Sequence, residues 1–150
     1  MVRAAPVVVV AAAVLTLAVA ETASATCRTT QANGHVPAGA SSNLFGNGQL
    51  ATAAYGVIYA TPRTLNRDGT ISEKFPWFGA SGLVGDLRIS GKRLDRAAPP
   101  LRATINPGTV ASAPEMRFWA AGITFPTVGC WRITGRVDDV PLSLVVLVRR

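Results

Sequence analysis

What most constrains this chain is a two-residue alternation of side-chain character in its last third. In Gly129 to Val137, Trp131, Ile133 and Val137 share one face, while Arg132, Thr134 and Arg136 share the other with Cys130. Strand side chains point alternately to the two faces, so this is the pattern of a half-buried strand and not of a helix. Val137-Asp138-Asp139-Val140-Pro141 supplies a turn. Leu142 to Val148 is apolar on both faces, as in a strand covered on each side. The same grammar runs upstream. Asp86 to Ser90 sets Leu87 and Ile89 against Arg88 and Ser90, and Leu101 to Asn106 sets Leu101, Ala103 and Ile105 against Arg102 and Thr104. Gln49 to Thr61, Ile71 to Phe78 and Met116 to Phe125 are further strand segments. Turn signals stand between them at Asn66-Arg67-Asp68-Gly69, Gly91-Lys92, Pro99-Pro100, Asn106-Pro107-Gly108 and Pro126. No amphipathic helix interrupts the series. About seven short strands punctuated in this way predict an all-β, antiparallel sandwich.

The first 25 residues follow a different rule. Arg3 is followed by an uncharged stretch from Ala4 to Ala20, and Ala23-Ser24-Ala25 has the small-x-small form that signal peptidase accepts. Residues 1–25 therefore read as a signal peptide cut before Thr26, with Ala18-Val19-Ala20 as a weaker site. The stretch falls at the short limit of the ~20 residues of a membrane span, which leaves an uncleaved anchor as the alternative. Cys27 lacks the residues that a lipobox places before its cysteine. Residues 26–47, rich in Gly, Ser, Asn, Pro and Ala, read as an extended lead-in, and 48–150 as the sandwich domain.

An exported chain with an even number of cysteines, here Cys27 and Cys130, has the usage expected for a disulfide in an oxidising compartment. Two free thiols, or an intermolecular bond through Cys27, are the other outcomes. A four-cysteine zinc site is excluded by count. The net charge is +7, and cleavage leaves it unchanged because Arg3 and Glu21 are both removed. Such a balance permits attraction to wall polymers, lipid head groups or nucleic acid. The cations are dispersed in sequence, however. The densest group, Arg88, Lys92, Arg93 and Arg96, is interrupted by Asp86 and Asp95 and reads as a solvated strand end. No nucleic-acid motif is present, and the export signal argues against nucleic acid as a partner.

Catalytic chemistry has little to stand on. His35 is the single histidine and lies in the turn-rich Asn33-Gly34-His35-Val36-Pro37, where nothing orients it as a triad base. No second histidine stands at zinc-ligand spacing. Asn66, Asp68 and Glu73 supply too few oxygens for a calcium loop. Asp68, Glu73, Asp86, Asp95, Glu115, Asp138 and Asp139 leave room for a glycosidase-like pair across a cleft, but nothing singles one out. No cofactor and no metal are expected.

Phe75-Pro76-Trp77-Phe78 crowds three rings around a proline that should demote its strand to an edge or bulge. Alternation sends Phe75 and Trp77 to one side and Phe78 to the other, so core packing competes with an exposed aromatic surface. Trp77 and Phe78 are the candidate interaction residues. Trp119 and Trp131 are expected in the core.

Phe125-Pro126-Thr127-Val128-Gly129-Cys130-Trp131-Arg132-Ile133-Thr134-Gly135-Arg136-Val137, with the apolar strand after it, resembles the C-terminal signature of a group of uncharacterised secreted bacterial proteins. Asn33-Gly34, Gly46-Asn47-Gly48, Asp68-Gly69-Thr70, Lys74-Phe75-Pro76-Trp77-Phe78 and Ser90-Gly91-Lys92-Arg93-Leu94-Asp95 fit the same group, so the resemblance covers most of the mature chain. An acidic residue commonly follows that tryptophan, where this chain has Arg132. Gly129-Cys130-Trp131 is also similar to the Gly-x-aromatic start of a late strand in bacterial immunoglobulin-like domains. The resemblance implies an immunoglobulin-like sandwich outside the cytoplasm and carries no catalytic residues. The expectation is a non-enzymatic, secreted domain that binds a protein or cell-surface component or serves a structural role. A small hydrolase using paired carboxylates, or an inhibitor or sensor of another exported protein, is the alternative. Membrane contact is expected only through the signal segment.

Overall fold

A computed structural model describes residues 26–106, 109–110 and 116–150. The signal segment, the Pro107-Gly108 turn and Glu115 lie outside the described residues. Within them the protein is all-β, two sheets packed face to face. One sheet contains β1 (Phe45–Gly46), β2 (Leu50–Thr52), β4 (Ile71–Ala80), β8 (Met116–Phe125) and β6 (Arg102–Ile105) in that order, with β7 (Thr109–Val110) also on β8. The other runs β3 (Val57–Tyr59), β10 (Val140–Arg149), β9 (Gly129–Val137), β5 (Arg88–Arg93). All neighbours are antiparallel except β3, which lies parallel to β10.

The strands expected at 116–125 and 129–137 form with those bounds. The segment expected from Gln49 to Thr61 instead splits: the chain leaves the first sheet after Thr52 and enters the second at Val57. Gly56, with a φ of 64°, lies in the crossing, in the left-handed region that glycine reaches without strain. The lead-in also takes part in the sheets. Its end forms β1, and Thr30 exchanges bonds with Val145, its N–H donating to the carbonyl and its hydroxyl accepting from the amide.

Between the sheets one core holds Trp77, Trp119, Trp131, Phe75 and Phe125, all essentially without solvent exposure. Trp77 and Trp119 are direct cross-strand partners on β4 and β8. The Trp77 ring reaches across to β9 and lies against Gly135, where a Cβ would stand 2.4 Å from ring carbons. Trp131 packs edge-on to Phe125 at 5.7 Å and donates its indole N–H to the Thr127 carbonyl. The disulfide joins Cys27 to Cys130 with Cα atoms 5.6 Å apart. Cys130 has the outward parity of β9, so the bond lies outside the inter-sheet core, beneath the lead-in.

Candidate functional site

Pro76 does not place β4 at the edge of the sheet as expected, since β2 and β8 flank it. Its carbonyl accepts from the Thr52 hydroxyl at 2.8 Å. On a strand the N and C=O of one residue point the same way, so the missing N–H faces the β2 side. There the ladder has already ended, at the Thr52–Trp77 pair, and no sheet bond is lost. Beyond that point β4 is covered by side chains and loop backbone. The Tyr55 hydroxyl donates to the Lys74 carbonyl at 2.8 Å, and the Ser72 amide donates to the Thr64 carbonyl.

This arrangement leaves a trough of about 420 Å³ on the outward face of the first sheet. Small residues make its floor, because the outward positions at the middle of β8 are Ala120 and Gly122, opposite Pro76 and Lys74. A Cβ built on Gly122 meets nothing within 4 Å. Tyr55 stands at one side, its ring edge-on to Phe75 at 5.0 Å. Phe118 closes one end, packed on Phe78 at 5.3 Å, and Thr104 and Asn106 supply a hydroxyl and an amide. A second recess of about 750 Å³, lined by Val57, Tyr59, Arg63 and Glu73, shares Tyr55, Lys74 and Gly122 with the trough. Burial, and secondarily the Glu73 charge, raises the pKa of Tyr55 above its ordinary value, so its hydroxyl remains a donor at neutral pH. Cavities of this size with apolar walls and a few convergent polar groups suit a small ligand or a segment of a larger one.

The two candidate rings part company. Trp77 is fully buried and offers no surface; the core takes it because alternation pairs it with Phe75 and Trp119. Phe78, on the outward face, is half-buried beside Phe118 at the trough's end. Tyr55, Phe118, Ala120 and Gly122 went unnoticed in the sequence. The legible signal was the run of small residues at outward positions of an otherwise bulky strand.

The remaining candidates lie elsewhere. His35 is exposed, its backbone N–H tied to the Asn33 side chain. Asp68 accepts from both the amide and the hydroxyl of Thr70, bonds that lower its pKa. Among the described residues no three His, Cys, Asp or Glu side chains gather as for a metal ion. Among the described residues Glu73 is the one carboxylate lining either recess. Asp138 is more than a turn residue: its carboxylate accepts from the amides of Val84 and Gly85, while Arg117 donates to the carbonyls of Leu83 and Gly85. Asp95 and Arg93, expected in a solvated cluster, form a two-bond ion pair with the arginine side chain only 8% exposed. No protein family, curated protein or solved structure matches the chain.

Proposed function

We propose that the protein is an exported, non-enzymatic domain of immunoglobulin-like type that binds a cell-surface partner, a protein or a wall component, through the trough. Strand order supports the fold type. Sheet positions β2-β4-β8-β6 and β10-β9-β5 correspond to A-B-E-D facing G-F-C of the constant-type sandwich, with β3 as an added strand beside G. Two departures accompany it. The inter-sheet disulfide between strands B and F of antibody domains is replaced by Trp77 of β4 packed on Gly135 of β9, and the actual disulfide lies outside the core. Export is supported by the leader sequence and by the disulfide, which fits an oxidising compartment. No helix of the described residues is long and apolar enough to cross a membrane.

The trough carries the reading. It combines aromatic walls, a floor of small side chains and a few polar atoms, and among the described residues a single carboxylate, Glu73, at its margin, where general acid–base hydrolysis of a glycoside needs two. The test is co-sedimentation of the mature, oxidised domain with insoluble cell envelopes, at salt high enough to screen attraction of the basic chain to envelope anions, comparing wild type with Gly122→Leu. The Cβ at this position meets only open space, so the leucine projects into the trough, and a circular dichroism spectrum and melting temperature matching wild type verify that the fold is kept. Sedimentation of wild type and its loss in the variant are expected. Equal sedimentation of both, or of neither, overturns the proposal. Release of soluble envelope fragments that disappears in Glu73→Gln overturns its non-enzymatic part.

A further inference from the structure

The cations that sequence order scatters are gathered by strand register. β5 pairs with β9 so that Arg88 lies opposite Arg136 and Lys92 opposite Arg132. The even positions of both strands point away from the core, and all four residues are exposed. Like charges directly opposite on one face are destabilising, yet this ladder carries two such pairs. Between them stands the Ser90–Thr134 pair, and Ser143 of β10 extends that row, its hydroxyl 2.7 Å from that of Thr134. Among the described residues Arg93–Asp95 is the one ion pair, so none of the four has a carboxylate at ion-pair distance.

A recess of about 450 Å³ lies at the centre, lined by Ser90, Gly91, Lys92, Arg132, Thr134 and Ser143, with no carboxylate among the described residues that line it. Through Arg132 it adjoins another of about 260 Å³, which Arg28 lines beside the disulfide together with Asp95, whose carboxylate is already held by two bonds from Arg93. The crosslink thus holds a fifth cation on this face. At the opposite end Arg88 and Arg136 border a small recess with Asp86 and Asp138, the latter carboxylate already accepting two backbone N–H groups.

We propose that this outward face of the second sheet is a docking surface for a linear anionic polymer of polyol or sugar units. Lys92 and Arg132 hold one anionic group in the central recess, and Arg28 with Arg132 holds the next. Charge complementarity selects an anion, and the hydroxyl row of Ser90, Thr134 and Ser143 suits a hydroxylated backbone. Adjoining recesses along one face suit a chain better than a single small ion. The central recess has no aromatic ring on which a nucleobase could stack and no apolar side chain to enter a bilayer. The surface is on the face opposite the trough, and the two stand independently.

The test titrates the oxidised mature protein with soluble poly(glycerol phosphate), alongside phosphatidylglycerol vesicles and duplex DNA at equal phosphate concentration. Saturable binding to the polymer that weakens with added salt is expected. Lys92→Gln and Arg132→Gln should each weaken it about fivefold, the usual effect of one cation near an anionic surface. Arg63→Gln, in the recess beside the trough, should leave it unchanged. Because each substitution removes a like-charge opposition, melting temperatures should equal or exceed that of wild type, which separates lost binding from lost fold. The proposal is overturned by absence of polymer binding at low salt, by an equal loss in Arg63→Gln, by unchanged affinity in both face variants, or by vesicles or DNA binding as tightly as the polymer.

Discussion

Replacing Gly135 by alanine tests the central packing contact of the sandwich. The added Cβ would stand 2.4 Å from Cη2 and Cζ3 of Trp77, whereas nonbonded carbons settle about 3.5–4.0 Å apart. About 1 Å of movement is therefore required, and neither side yields easily. Trp77 has no solvent exposure and lies beside Trp119 in the sheet, and Gly135 is paired on both flanks, to Ile89 and Leu142. Overpacking of this kind costs about 1–3 kcal/mol, while the less flexible unfolded chain of an alanine variant returns about 0.4–1 kcal/mol. The net expectation is a loss of about 1–2 kcal/mol, or a fall of roughly 4–8 °C in melting temperature for a domain of this size. Urea unfolding followed by circular dichroism reads it. Gly122→Ala is the control, its methyl meeting only open space, and should stay within about 0.5 kcal/mol of wild type. In a Trp77→Phe background, which is itself destabilised, the Gly135→Ala penalty should largely disappear as a coupling term. Gly135→Ala as stable as the control, or a penalty unchanged by Trp77→Phe, would refute the argument.

Removing the crosslink with Cys27→Ser and Cys130→Ser should cost about 2–4 kcal/mol, since the two cysteines are 103 residues apart; a urea midpoint that matches the oxidised wild type would contradict it. Asp95, held to a pKa of about 2 chiefly by its bonds from Arg93, contributes stability that is present above the ordinary carboxylate range. That contribution is lost as pH falls through about 2. With 29% of its side chain exposed, the contribution discounts to at most ~1 kcal/mol. The stability gap between wild type and Asp95→Asn should accordingly narrow across that acid window, and a gap that widens there would refute the assignment. Asp138→Ala removes two acceptor contacts to the Val84–Gly85 loop and puts alanine at a φ of 49°. A loss of about 1–2 kcal/mol with faster amide exchange at Val84 and Gly85 is expected, and unchanged exchange would count against that role.

The strands at 116–125 and 129–137 were legible because large apolar residues, Trp119, Ile123 and Phe125 on one and Trp131, Ile133 and Val137 on the other, recur at the spacing of a single strand face. The cysteine pairing was legible from the even count beside a leader-like first segment. The crossing between Thr52 and Val57 was not, because Ala53-Ala54-Tyr55-Gly56 continues the composition of the strand before it and only Gly56 marks the change. Pro76 misled for a physical reason: its missing donor matters only on the side where a neighbour continues, and β2 stops one residue short. Both candidate surfaces depend on register. Ala120 and Gly122 make a trough only with Tyr55 and Asn106 beside them, and Lys92 meets Arg132 only once β5 and β9 are aligned. Alternation assigns a residue to a face; it does not name its cross-strand neighbour.

The position of the disulfide also decides how the domain would bear load. Tension applied between Thr26 and Arg150 of the oxidised protein enters at Cys27, crosses the covalent bridge and emerges at Cys130. It never runs through β1 to β8, which hang as an unloaded side loop. Only the β9–β10 hairpin lies in line, and its open ends are adjacent, Cys130 being paired with Leu147, so its ladder is peeled one bond at a time. At ~3.4 Å per extended residue, the roughly 20 residues beyond Cys130 release about 70 Å before the tether is taut. With the bridge reduced, the same pull can draw out the whole chain, several times that length. The crosslink thus acts as a stop that fixes how far the molecule can be stretched, and force spectroscopy with and without reductant would read it as two separate contour lengths.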